Sequence, residues 1–227
     1  MNYTLFTPAN LLSGKKYPLL IWLHGGGSSS GDEIADEDAV SLSASASEVG
    51  NEKFLLIPSA PVRQAWRGPR VSGASSATGE SSPAMKFIVR LVDTLPNTCN
   101  IDRRRVIVMG ESGGAFGSWL LLQSFPERFL GGIINSGGGD ATKVDTLVKQ
   151  RIWIFHGEKD EIVPIARDQE MFEALMRSRG QQPHVVTEGD WVKASDDADM
   201  IRFWKHTQSG HVPAVDYKAA INWVLSE

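Results

Sequence analysis

The sequence predicts an α/β protein of three layers, a mostly parallel central sheet with helices on both faces, and three observations predict it. The first is alternation: six short apolar runs, most followed by turn residues and then by a stretch with helical spacing. The second is size, because 227 residues suit one generous domain and would cramp two. The third is balance: 41% hydrophobic against 22% charged residues supports a packed core and lies far from disordered or membrane compositions.

In chain order, residues 3–6 read as an antiparallel edge strand, and residues 18–23, 54–57, 106–109, 129–134, 152–155 and 184–187 as core strands. Helices are expected over 32–48, 83–95, 114–123, 144–150, 166–179 and 214–225. In the fifth of these, Met171, Leu175 and Met176 share one apolar face and read as core. Two stretches read as loops. Residues 62–82, with Trp66, Arg67 and Arg70, leave the carboxyl end of the second core strand and form a candidate substrate wall. Residues 189–210 read as a long solvated loop with one or two anchoring aromatics. Between the fourth and fifth core strands too few residues remain for a helical cap, so no large cap domain is expected over this single domain, residues 1–227.

The formal charge of -4 offers no basic footprint for a phosphate backbone or an anionic leaflet, so neither nucleic acid nor membrane is expected as a partner. Cys99 is the single cysteine, which excludes an intrachain disulfide and any thiolate-rich metal or iron-sulfur site held by this chain alone. No His-x-x-x-His or Glu-x-x-His spacing occurs, and Asp196, Asp197 and Asp199 read as a solvated acidic patch, so no metal or cofactor is expected. Residues 1–8 lack the basic start and apolar run of a signal peptide, and no segment reaches the roughly 18 apolar residues of a membrane span. A cytoplasmic location is the expectation.

The chemistry starts from Gly-x-Ser-x-Gly, which occurs twice, around Ser29 and around Ser112. A nucleophile elbow needs a strand ending at the first Gly and a helix beginning after the Ser, and only Gly110-Glu111-Ser112-Gly113-Gly114 has both. Serine requires a base to take its proton and a third group to orient that base. Asp160, in the turn after the strand at 152–155, is the leading acid, with Glu158 and Asp190 as alternatives. His211, in Gly210-His211 before the last helix, is the leading base, with His206 its rival. The order Ser, Asp, His is that of α/β-hydrolases. An oxyanion would be met by the N–H of Gly113 and by one from the turn His24-Gly25-Gly26-Gly27, Gly26 first and Gly27 next. Trp66, Arg67 and Glu111 are candidate substrate contacts, Trp66 and Arg67 being equally readable as packing and a solvated charge. His24 and His156, at strand ends beside glycines, read as buried imidazoles bonded to backbone, and His184 as exposed.

Together Leu23-His24-Gly25-Gly26-Gly27, the Ser112 elbow, His156-Gly157-Glu158-Lys159-Asp160-Glu161-Ile162-Val163-Pro164 and Gly210-His211 resemble, in order, the oxyanion, elbow, acid and histidine motifs of the α/β-hydrolase superfamily. Within it the chain is similar to compact serine esterases related to feruloyl esterases, polyhydroxybutyrate depolymerases and predicted peptidases. Asn100-Ile101-Asp102-Arg103-Arg104-Arg105 and Gly117-Ser118-Trp119 add to that likeness, although this group often carries Met where this chain has Gly113. The resemblance implies hydrolysis of short-chain, acetyl or feruloyl-type esters, of small molecules or linked to polysaccharide. A serine peptidase of the prolyl-oligopeptidase-like group and a noncatalytic binding protein on the same fold are the alternatives.

Overall fold

Apolar runs flanked by turn residues become strands buried on both faces, as a sheet sandwiched between helices requires. The computed structural model describes residues 1–25, 52–59, 66 and 82–226. Among them the strands are β1 (Asn2–Phe6), β2 (Tyr17–Leu23), β3 (Phe54–Ser59), β4 (Ile101–Glu111), β5 (Gly131–Asn135), β6 (Arg151–Gly157), β7 (His184–Glu188), β8 (Trp191–Ser195) and β9 (Ile201–His206). The helices are α1 (Pro83–Thr98), α2 (Gly113–Ser124), α3 (Ala166–Arg179) and α4 (Tyr217–Leu225). One sheet runs in the order β1-β3-β2-β4-β5-β6-β9-β8-β7. From β3 to β9 every pair is parallel; β1 closes one edge antiparallel and the β8-β7 hairpin the other.

The two-residue side-chain period divides the core. Leu19, Ile21 and Leu23 of β2 share a cluster with Met85 and Ile88 of α1, Trp119 and Leu122 of α2, and Met171 and Leu175 of α3. Leu20 and Trp22 point the other way, into a cluster with Ala220, Ile221 and Val224 of α4. Helices therefore cover both faces, in the three layers expected. Their ends are fixed locally: Ser82 accepts from the Met85 N–H ahead of Pro83, Gly180 in the left-handed region ends α3, and Asp216 accepts from the Ala219 N–H to start α4. The helix expected at 32–48 lies outside the described residues. Among those described, no helix is long and apolar enough to cross a membrane.

Four expectations are corrected. Residues 144–150 do not form an α-helix; Ala141–Leu147 forms 3-10 turns broken at Lys143, because only Val144 and Leu147 are buried there, three apart, which suits the tighter winding. Residues 189–210 are not a solvated loop. Gly189 at φ 57° and Asp190 make the two-residue turn of a hairpin, and β9, with Ile201 and Phe203 buried, takes the place beside β6. Residues 184–187, expected in the core, form the outer edge, where Val185 and Val186 are exposed. The three aspartates are only in part the solvated patch expected, Asp197 being exposed while Asp196 and Asp199 are engaged. Asp196 is buried, accepts from the N–H groups of Met200 and Ile201 and pairs with Arg179; Asp199 holds Arg202 and the Trp223 indole N–H; Asp197 meets His184. Asp196 and Asp199 shape the β8-β9 turn and tie it to α3 and α4.

Candidate active site

β4 ends at Glu111 and α2 begins at Gly113, so Ser112 alone makes the turn between them. Its backbone sits at φ 48°, ψ -116°, a conformation that costs a non-glycine residue about 1–3 kcal/mol. The neighbours hold it there: the Ser112 N–H donates to the Asn135 carbonyl at 2.9 Å, and the Ser112 carbonyl accepts from the Phe116 N–H at 3.2 Å. Its side chain makes no capping hydrogen bond to α2. The end of β2 lies directly on the first turn of α2, since a Cβ at Gly114 would fall 1.8 Å from the Leu23 carbonyl oxygen. Gly114→Ala must push two backbones apart, and we expect a loss of folding stability of upwards of about 4 kcal/mol, read as a collapse of the urea midpoint. A midpoint unchanged in that variant would contradict this packing.

The same approach brings the turn after β2 to Ser112. A Cβ at Gly25 would lie 3.6 Å from Ser112 Cβ and 3.3 Å from Glu111 Oε1. Gly26, Gly27, Ser29 and Arg67 lie outside the described residues. Trp66 is placed in the core, not in an open wall: it is 2% exposed, packs on Gly117, and its indole N–H donates to the His24 carbonyl at 2.9 Å. It braces the turn after β2. His24 is half-buried, with Nδ1 2.8 Å from the Gly25 carbonyl oxygen.

Asp160 follows β6 by three residues, and both its oxygens are engaged. Oδ1 accepts from the N–H groups of Ile162 and Val163, at 2.9 and 2.8 Å, and Oδ2 accepts from His211 Nδ1 at 2.7 Å. Burial by itself would raise the carboxyl's pKa, but the hydrogen bonds from His211, Val163 and Ile162 outweigh it and hold Asp160 below its ordinary range. With Nδ1–H committed to the carboxylate, the neutral ring of His211 carries its lone pair on Nε2, the nitrogen a general base needs. Asp160 thus meets His211, and neither alternative acid does: Glu158 pairs with Lys205, and Asp190 lies in the β7-β8 turn. His206 is bonded elsewhere, its Nδ1 accepting from the Gln208 and Ser209 N–H groups.

The loop carrying His211 is clamped from both sides. On the β6 side, Glu158 N–H donates to the His206 carbonyl and Lys159 N–H to the Ser209 carbonyl, and a Cβ at Gly157 would lie 1.9 Å from the Gly210 carbonyl oxygen. On the β5 side, Asn135 Nδ2 donates to the Pro213 carbonyl at 3.1 Å, and the Val212 N–H donates to Ser136 Oγ at 3.1 Å. Asn135 is also the residue whose carbonyl holds the Ser112 N–H. One residue therefore anchors the elbow and the histidine loop together. Sequence reasoning missed Asn135 and Ser136; the polar pair closing an apolar strand ahead of Gly137-Gly138-Gly139 was the available signal.

No protein-family model and no curated protein matches this chain. Solved structures do. A thermostable esterase is 23% identical, with a TM-score of 0.73, over 98% of this chain and 54% of its own, so this chain spans about half its length. An acetyl xylan esterase from Aspergillus awamori is 16% identical, with a TM-score of 0.74, over 98% of this chain and 93% of its own. Esterase PE8 is 18% identical, with a TM-score of 0.69, over 98% of each chain. At these identities the likeness establishes the fold, a compact α/β-hydrolase fold.

Proposed function

We propose that the chain is a serine carboxylic-ester hydrolase working through Ser112, His211 and Asp160. The observation that carries this reading is the 2.7 Å bond from His211 Nδ1 to Asp160 Oδ2, in a loop that Asn135 and Ser136 tie to the strand beside the Ser112 elbow. Ser112 Oγ attacks the ester carbonyl while His211 Nε2 takes its proton; Asp160 fixes the tautomer and stabilises the imidazolium. The resulting oxyanion is met by the Gly113 N–H, at the positive end of α2, and by an N–H of Gly26 or Gly27. Its collapse expels the alcohol, which takes the proton from His211. Water, deprotonated by His211, then attacks the acyl-enzyme, and release of the acid returns the proton to Ser112.

Residues 136–150, between β5 and β6, contain only the Ala141–Leu147 turns where a cap would be inserted. That favours small or polysaccharide-linked esters with short acyl groups over long-chain lipids at an interface. The three similar structures are esterases, and one is an acetyl xylan esterase, which points to acetyl esters first. The purified chain is expected to turn over p-nitrophenyl acetate at least 100-fold faster than the matched anilide. Turnover of anilides alone would make it a peptidase, and turnover of neither in a panel of acetyl, feruloyl and short-chain acyl substrates would sink the enzyme reading.

A further inference from the structure

Behind the triad lies a second acid-base pair that the mechanism above does not use. His156, near the end of β6, Asp160 and Asp168, in the first turn of α3, all have fully buried side chains. His156 Nδ1 is 2.8 Å from Asp168 Oδ2, and its Nε2 is 2.9 Å from the Val163 carbonyl oxygen and 3.3 Å from Asp160 Oδ2. A carbonyl oxygen only accepts, so Nε2 carries a hydrogen. Asp168 in turn receives the Trp119 indole N–H on Oδ1, at 3.0 Å, and the Gly137 N–H on Oδ2, at 2.8 Å. With N–H donors from α2 and from the turn after β5 on both its oxygens, Asp168 is surrounded as a carboxylate acceptor would be, the arrangement in which Nδ1 donates to it as well. In that arrangement both ring nitrogens carry a hydrogen.

We propose that His156 is a permanent buried imidazolium, bridging Asp168 to Asp160, and that it acts as a positioning residue for the Asp160–His211 pair. This deepens the function proposed above and rests on it. The oxygen of Asp160 that orients His211 is the one that His156 Nε2 faces. The cation draws charge from that oxygen, so it tempers how strongly the buried carboxylate holds the proton that His211 takes up while still aligning the ring. It also compensates Asp168, which would otherwise be a buried charge without a counterion. The charged groups facing the ring are Asp168 from α3 and Asp160 from the turn after β6, with His211 beyond Asp160; α2 presents the uncharged Trp119. Burial would lower the proton affinity of His156, but the hydrogen bond and charge of Asp168, the Val163 carbonyl and the charge of Asp160 outweigh it and raise it.

The sequence alone reads His156 as a structural histidine bonded to backbone. The Val163 bond agrees with that; the two carboxylates add a charge the sequence did not disclose.

The test is histidine nitrogen NMR on the intact protein, with His156 assigned by the loss of its signals in His156→Gln and His156→Asn. In the wild type both ring nitrogens are expected to keep imidazolium shifts from pH 6 to pH 9. A neutral tautomer anywhere in that range would overturn the proposal; the assignment needs only one of the two variants to fold, and the readout needs no substrate. In the two neutral variants, the His211 titration and the acidic limb of kcat/KM for p-nitrophenyl acetate should move up together by about one pH unit, the size expected for removing a charge one carboxylate oxygen away. A clamp that merely packs would lower the melting temperature and leave both where they are, which would also overturn it. If the wild type hydrolyses no ester yet His156 is doubly protonated and the His211 titration moves, the function reading fails alone.

Discussion

Ser112→Ala is expected to lower kcat toward p-nitrophenyl acetate by about 10⁴- to 10⁶-fold, the loss seen when the nucleophile of a triad is removed and only binding and oxyanion stabilisation remain. The same substitution should barely change stability, because Ser112 makes no side-chain capping bond and alanine is as strained as serine at φ 48°. Ser112→Gly separates the two roles of this residue. It should abolish turnover equally while raising the unfolding free energy by about 1 kcal/mol or more, since glycine adopts this backbone without strain. Stability gained as activity is lost is the signature of a backbone held out of its preferred conformation for function. Ser29→Ala should leave the rate within about twofold. A large loss in that variant with little in Ser112→Ala would transfer the nucleophile to the other Gly-x-Ser-x-Gly.

How much of this was legible beforehand depends on how local the physics is. Ser112, Asp160 and His211 each sit where a strand or loop meets a turn, and each turn is written in adjacent residues: Gly110 to Gly114, Gly157 to Asp160, Gly210 to His211. The pairing of Asp160 with His211 across 51 residues then follows from the sheet order. The strand β9 was not legible because its alternation, Ile201-Arg202-Phe203-Trp204, places large polar or amphipathic side chains on one face, where Arg202 stacks on Trp153 and Trp223 and Lys193 covers Trp204. The more apolar Val185-Val186 looked like core and lies at the edge. Asp168 was illegible for another reason. An acidic residue in the first turn of a helix is expected from the helix dipole alone, and only three donors from separate elements, Trp119, Gly137 and His156, give it a different meaning.

Asp160→Asn is expected to cost about 10⁴ in kcat, and the geometry says why an isosteric change is so damaging. The Ile162 and Val163 N–H groups both point at Oδ1, so the amide oxygen of asparagine must take that place and its NH₂ must take the place of Oδ2. There it donates to His211 Nδ1, which in the native protein is the donor. The neutral ring is forced to carry its hydrogen on Nε2, where it can no longer accept the Ser112 proton. Raising the pH should not restore the rate, because the fault is in the tautomer and not in the charge. Stability follows a different course with pH. Asp160 has its pKa lowered on folding, so its carboxylate stabilises the native state above the unfolded value, about 3.9, and that contribution disappears as the pH falls through the folded value. The melting-temperature gap between the wild type and Asp160→Asn should therefore be widest near neutrality and narrow below pH 4. A variant within tenfold of wild-type kcat at pH 8 would mean that Asp160 does not set the tautomer of the base, and the acid would have to be sought elsewhere along the carboxyl edge of the sheet.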